Sequence, residues 1–184
     1  MKTEFLIAAV SFVFLWGGCD SNVGPAPIPV SGRATINSKV LNSQSSGLSF
    51  SEGTVILFPN SQESLPDIMV LVQTDAQASI IGVFLGSPGP LRPTFRLLKQ
   101  YALLDSAVAY YQALSYLPDT TFTELAIPTV TGQVWAVKTR EDKYAKILIC
   151  STVAYADTSD PSAPTPYGEV TLDWTYQPNG NRQF

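Results

Sequence analysis

One thiol sits where chemistry is expected of it. Cys19 follows Gly17-Gly18 and a short apolar run from Phe5 to Trp16, with Lys2 the only cation ahead of that run. A cation, about a dozen apolar residues and small residues at a cut together make a secretory signal. The run is too short for a membrane-crossing helix, which needs about 20 residues. A lipoprotein signal peptidase requires a thiol at the first mature position, because that sulfur carries the diacylglycerol. Lipid attachment is therefore the chemistry predicted for Cys19, with Trp16 departing from the smaller aliphatic residue usual at its place. Residues 1–18 then read as signal peptide, and the membrane becomes the first partner, through the lipid. The expected location is the bacterial envelope, anchored to the outer membrane or displayed at the surface. Asp20 fits either inner-membrane retention or surface display, so the leaflet stays open.

The remaining chemistry is narrow. The chain has no histidine, which excludes Ser-His-Asp and Cys-His catalysis, histidine-bound zinc and histidine-ligated haem. No nucleophile elbow, phosphate loop, Ser-x-x-Lys or EF-hand pattern occurs. Paired-carboxylate glycoside hydrolysis needs only acids, but these are scattered. With Cys19 lipidated, Cys150 has no thiol to pair with, and alternation puts it on the same face as Leu148, as a buried, inert side chain. The acidic, proline-rich loop Ala156 to Pro166 holds oxygens that calcium could use, and reads more simply as a stiffened hairpin loop. The net charge of −4 and a charged fraction of 14% offer no basic face for nucleic acid.

These residues need a scaffold, and the pattern supplies strands. Short apolar runs separated by turn residues predict strands at Leu48 to Phe50, Thr54 to Phe58, Asp67 to Gln73, Ser79 to Leu85, Thr94 to Leu98, Gln133 to Thr139, Tyr144 to Thr152 and Glu169 to Gln177. In the last, Val170, Leu172, Trp174 and Tyr176 alternate with Glu169, Thr171, Asp173 and Thr175, as a strand covering one side of a core requires. Arg140-Glu141-Asp142-Lys143 suits a hairpin loop, so the carboxyl third is expected to be an antiparallel meander. Leu103, Ala107, Tyr110, Leu114 and Leu117 recur at helical spacing. They predict one amphipathic helix over about 103–117, capped by Asp105 or Ser106 and closed by Pro118.

The expected architecture is mainly β, an antiparallel sandwich or meander with that one helix. Residues 19–47, rich in proline and serine, read as a lipidated, flexible tether with a reach of about 30 Å, with Ala34 and Ile36 its only hint of a strand. Residues 48–184 form the globular domain, long enough for one core.

Val134-Trp135-Ala136-Val137-Lys138-Thr139, Lys143-Tyr144-Ala145-Lys146-Ile147, Gly168-Glu169-Val170-Thr171-Leu172-Asp173-Trp174 and Tyr176-Gln177-Pro178-Asn179-Gly180 resemble the end of the HmuY-like family of bacterial surface lipoproteins. Leu48 to Gly53 and Pro66-Asp67-Ile68 are similar to its opening strands. The resemblance implies an all-β lipoprotein of the Bacteroidetes type, and haem as the cofactor of its best-known members. Those members hold iron between two histidines, which this chain lacks. Other relatives use methionine, which singles out Met69, the one methionine left after processing; as a strand residue it also reads as core packing. A tyrosinate is a further ferric ligand in principle. Tyr101, Tyr110 and Tyr111 join Met69 as candidate ligand-binding residues, against the simpler reading that aromatics pack a β core.

The function expected is a non-enzymatic, lipid-anchored envelope protein that binds a small hydrophobic ligand or an envelope protein. A structural or adhesive surface protein without a small ligand is the alternative.

Overall fold

A computed structural model of the chain describes residues 30–38, 45–58 and 65–184. The signal segment 1–18, Cys19 and the tether residues 20–29 and 39–44 lie outside the described residues. The strands are β1 (Val30–Asn37), β2 (Ser45–Ser49), β3 (Thr54–Phe58), β4 (Ile68–Thr74), β5 (Ile80–Gly86), β6 (Phe95–Gln100), β7 (Ala126–Thr129), β8 (Gln133–Lys138), β9 (Tyr144–Asp157) and β10 (Thr165–Gln177). One helix, α1 (Leu104–Ala113), lies between β6 and β7.

The strands make two antiparallel sheets, ordered β1-β10-β9-β8-β6 and β3-β2-β4-β5-β7. They stack as a sandwich: β1 lies over β2, β10 over β4 and β5, and β9 over β5. Along β10 the expected alternation holds. Val170, Leu172, Trp174 and Tyr176 are buried, while Glu169, Thr171, Asp173 and Thr175 remain partly open. Phe50 bridges the sheets, meeting Trp174 edge-on with centroids 6.0 Å apart and stacking on Tyr176 at 6.3 Å. Burying a side chain of that size stabilises by about 1.5–3 kcal/mol.

The tether boundary at residue 47 is corrected, because Val30–Asn37 already belong to the sandwich. β1 is an edge strand of the first sheet, with Ala34 and Ile36 buried in the core. Its outer residues match β10 directly across the register. Arg33 Nε donates to Asp173 Oδ1 at 2.6 Å, and Thr35 Oγ1 lies 2.9 Å from Thr171 Oγ1. Such cross-strand pairs fix register where the apolar signal is short. Ser45 to Gly47, also assigned to the tether, belong to β2. A further strand, β7, was not expected; it carries Pro128, a residue that sheets admit at their edges.

The helix is shorter than its apolar spacing suggests. It starts at Leu104 behind Leu103, with no side-chain cap, so neither Asp105 nor Ser106 caps it; Asp105 instead sits in the first turn, where the helix dipole favours an acid. The chain leaves the helix at Leu114, well before Pro118. Lys146 of β9 takes over there: its Nζ donates to Tyr111 O at 3.0 Å and to Leu114 O at 2.6 Å, meeting carbonyls a helix end leaves unpaired. Ala107 packs on Val134 and Leu148, making a second, smaller cluster on the outer face of the first sheet.

Candidate functional site

The structure places the four candidate ligand-binding residues on two opposite faces. Tyr101, Tyr110 and Tyr111 pack with α1 against the outer face of the first sheet. Tyr101 and Tyr110 tilt against each other with centroids 5.7 Å apart. Tyr111 Oη lies 2.8 Å from Thr175 Oγ1, and burial pushes its hydroxyl well above the usual tyrosine range. A group held neutral in this way is a poor source of tyrosinate. Met69 sits between Ile68 and Val70, both buried, so alternation turns it to the outer face of the second sheet. That corrects its reading as a core residue, and both sheets separate it from the tyrosines. These residues do not fit haem as a ligand set.

Cys150 is the extra residue of a bulge between the Ser151–Thr171 and Ile149–Leu172 pairs. It is half-buried beside the α1 cluster rather than in the main core. Burial and the neighbouring Asp173 push its thiol up, which keeps it protonated and unreactive. Among the described residues no group of three histidine, cysteine or acidic side chains is placed to hold a metal ion, and no helix is long and apolar enough to cross a membrane.

Sequence reasoning missed an apolar groove. At the β6 and β7 edges the chain from Phe122 to Leu125 crosses from one sheet to the other as a strap. Thr123 fastens it, its N–H donating to Phe95 O at 2.7 Å and its carbonyl accepting from Phe95 N–H at 2.8 Å. The opening is a groove of about 640 Å³ lined by Leu97, Phe122, Leu125, Ile127 and Trp135, with Arg96 and Glu124 among its walls. Trp135 is only 4% exposed, and its indole N–H is already satisfied by Gln133 Oε1 at 3.0 Å. The ring therefore offers the groove apolar surface without an unmet donor. Leu97 and Ile127, which line it, are 37% and 45% exposed. A volume in this range and a mostly apolar lining suit a small-molecule or side-chain site.

A second, polar pocket of about 320 Å³ lies between the β2–β3 turn and the β8–β9 loop, over Asp67. Both carboxylate oxygens of Asp67 are engaged, Oδ2 by Phe50 N–H at 2.9 Å and Oδ1 by Arg140 N–H at 3.3 Å. The side chain thus ties one turn of each sheet together. Burial raises its pKa, outweighing those two donors and the positive charge of Arg92. A carboxyl raised in the folded state contributes stability that is present below the unfolded value of about 3.9 and lost as pH rises through the folded value. Asn in its place cannot accept at both oxygens but does not titrate. Asp67→Asn is therefore expected to destabilise by about 1–2 kcal/mol at pH 4, with a smaller deficit at pH 7. Urea unfolding at both pH values tests this; a deficit that grows with pH would reverse the assigned shift.

Searches with family models, curated proteins and solved structures found no match to the chain.

Proposed function

We propose that the protein is a lipid-anchored bacterial envelope protein, held by Cys19, whose β-sandwich is a non-enzymatic binding module. The observation that carries the binding role is the Trp135-floored groove between β6 and β7. The anchor rests on the Gly17-Gly18-Cys19 signal. The HmuY-like resemblance supports a surface location, while the haem it implies has no ligand set in the dispersed Met69 and tyrosines. Binding here works by shape: β6, β7 and the strap between them frame an apolar groove over Trp135.

The test uses the full chain, expressed in a lipoprotein-processing bacterium and reconstituted in lipid nanodiscs. Naphthalene-2-sulfonate is titrated calorimetrically, with lipid-only discs as the blank. Saturable binding is expected, weakened at least tenfold by Leu97→Asp or Ile127→Asp and unchanged by Met69→Ala. Binding that ignores the groove substitutions would reject this site. In the same cells, Cys19→Ser should abolish palmitate labelling; retained labelling would reject the anchor.

A further inference from the structure

The groove runs beside an open strand edge, and the two together select a kind of partner. Lys138 N–H donates to Thr94 O at 2.8 Å, which sets the phase of the β6–β8 ladder. The Thr94 carbonyl and the Arg96 backbone groups then turn toward β8, Phe95 and Leu97 turn theirs outward, and the Thr94 N–H donates to Thr123 O at 2.8 Å. Thr123 takes the outward N–H and C=O of Phe95. β6 is the last strand of its sheet, and beyond β8 its one bridge among the described residues is that of Phe95 to Thr123, which leaves the outward pair on Leu97 without a strap. An unpaired edge beside an apolar channel is a template for a further strand.

Charge narrows the choice. The chain is acidic overall, at −4, yet β6 carries Arg96 and Lys99, both exposed, and neither takes part in an ion pair among the described residues. Glu124 is the one acid lining the groove. The bulge after Leu97 limits the open edge to a short stretch, which suits a peptide better than a long strand of another sheet.

We infer that the groove takes an extended, acidic peptide segment of a partner protein by strand addition to β6. Its backbone pairs with Leu97, alternate apolar side chains enter over Trp135 and Ile127, and its carboxylates meet Arg96 and Lys99. This rests on the binding role proposed for the groove and specifies its occupant.

The probe is an acetylated, amidated, fluorescein-labelled heptapeptide of alternating glutamate and valine, titrated by anisotropy against the full chain in nanodiscs. Saturable binding is expected, with slowed hydrogen exchange at the Leu97 amide. N-methylation of the central valine, which leaves the protein untouched, should weaken it at least tenfold. A lysine–valine peptide should bind at least tenfold more weakly, and the Arg96→Glu, Lys99→Glu double variant should invert that preference. Equal binding of the N-methylated peptide, or of the lysine peptide, would overturn strand addition by an acidic segment. No peptide binding while naphthalene-2-sulfonate still binds would overturn it too, leaving the groove a small-molecule site. Loss of the naphthalene signal as well would reject the groove itself.

Discussion

Gly132→Ala is expected to cost about 3 kcal/mol or more, a large share of the roughly 5–15 kcal/mol that holds a domain of this size together. Gly132 has φ of +83° and sits in the turn that leads into β8. Its N–H donates to Ile149 O at 2.9 Å, and its carbonyl accepts from Tyr101 N–H at 3.0 Å. A methyl group there would press directly on the Tyr101 carbonyl oxygen, which is backbone and cannot swing aside. Two costs add: about 1–2 kcal/mol for a side chain in left-handed backbone, and about 1–3 kcal/mol for overpacking. Gly89 supplies the control, since its φ of +80° is nearly the same and a methyl group there meets nothing within 4 Å. Gly89→Ala should therefore lose only the conformational part. Urea midpoints of the two variants separate the effects, and equal losses would show that contact with Tyr101 adds nothing.

The same neighbourhood shows why sequence reading reached the architecture more easily than the site. Strand alternation is a local signal, and β10 announces it over eight residues because one face is wholly buried. β1 carries the signal only in Ala34 and Ile36, since as an edge strand it buries little; its Arg33 and Thr35 find their partners about 140 residues away. β7 is legible only in three dimensions, being four residues long and containing Pro128. The groove is less local still. Leu97, Trp135 and the run from Phe122 to Ile127 come from three separate stretches, and nothing in their spacing marks them as neighbours. The tyrosines drew attention by number and helical period, which correctly put Tyr110 near Ala107, but period does not say whether a face looks into a cleft or onto a sheet. Met69 failed for a simpler reason. A strand residue has two faces available, and the flanking Ile68 and Val70 take the core side.

Lys146→Met is expected to destabilise by about 2–3 kcal/mol and to loosen the second half of α1 first. Lys146 is a β9 residue only 6% exposed, on the outer face of its sheet, with no acid as ion-pair partner among the described residues. Its ammonium instead closes the helix, donating to Tyr111 O and Leu114 O while lying 4.9 Å from the Tyr111 ring centroid and 5.3 Å from that of Phe184. Methionine keeps the length and the apolar stem but leaves two carbonyls without their donor, each bond to a charged group being worth about 1.5–3 kcal/mol. Part of that is returned, because burial penalises the ammonium and lowers its pKa. The sign of the pH dependence follows. The folded state releases this proton earlier than the unfolded chain, whose lysine titrates near 10.4, so wild type gains stability over Lys146→Met as pH rises through the lowered value. Amide exchange along α1 gives the local readout, since the Leu114 N–H bonds Tyr110 O in the last turn. Faster exchange at Leu114 than at Ala107 would place the loss at the helix end. Uniform acceleration across α1 and β9 would instead mean that Lys146 stabilises the sandwich as a whole, and that the helix has no separate fastening.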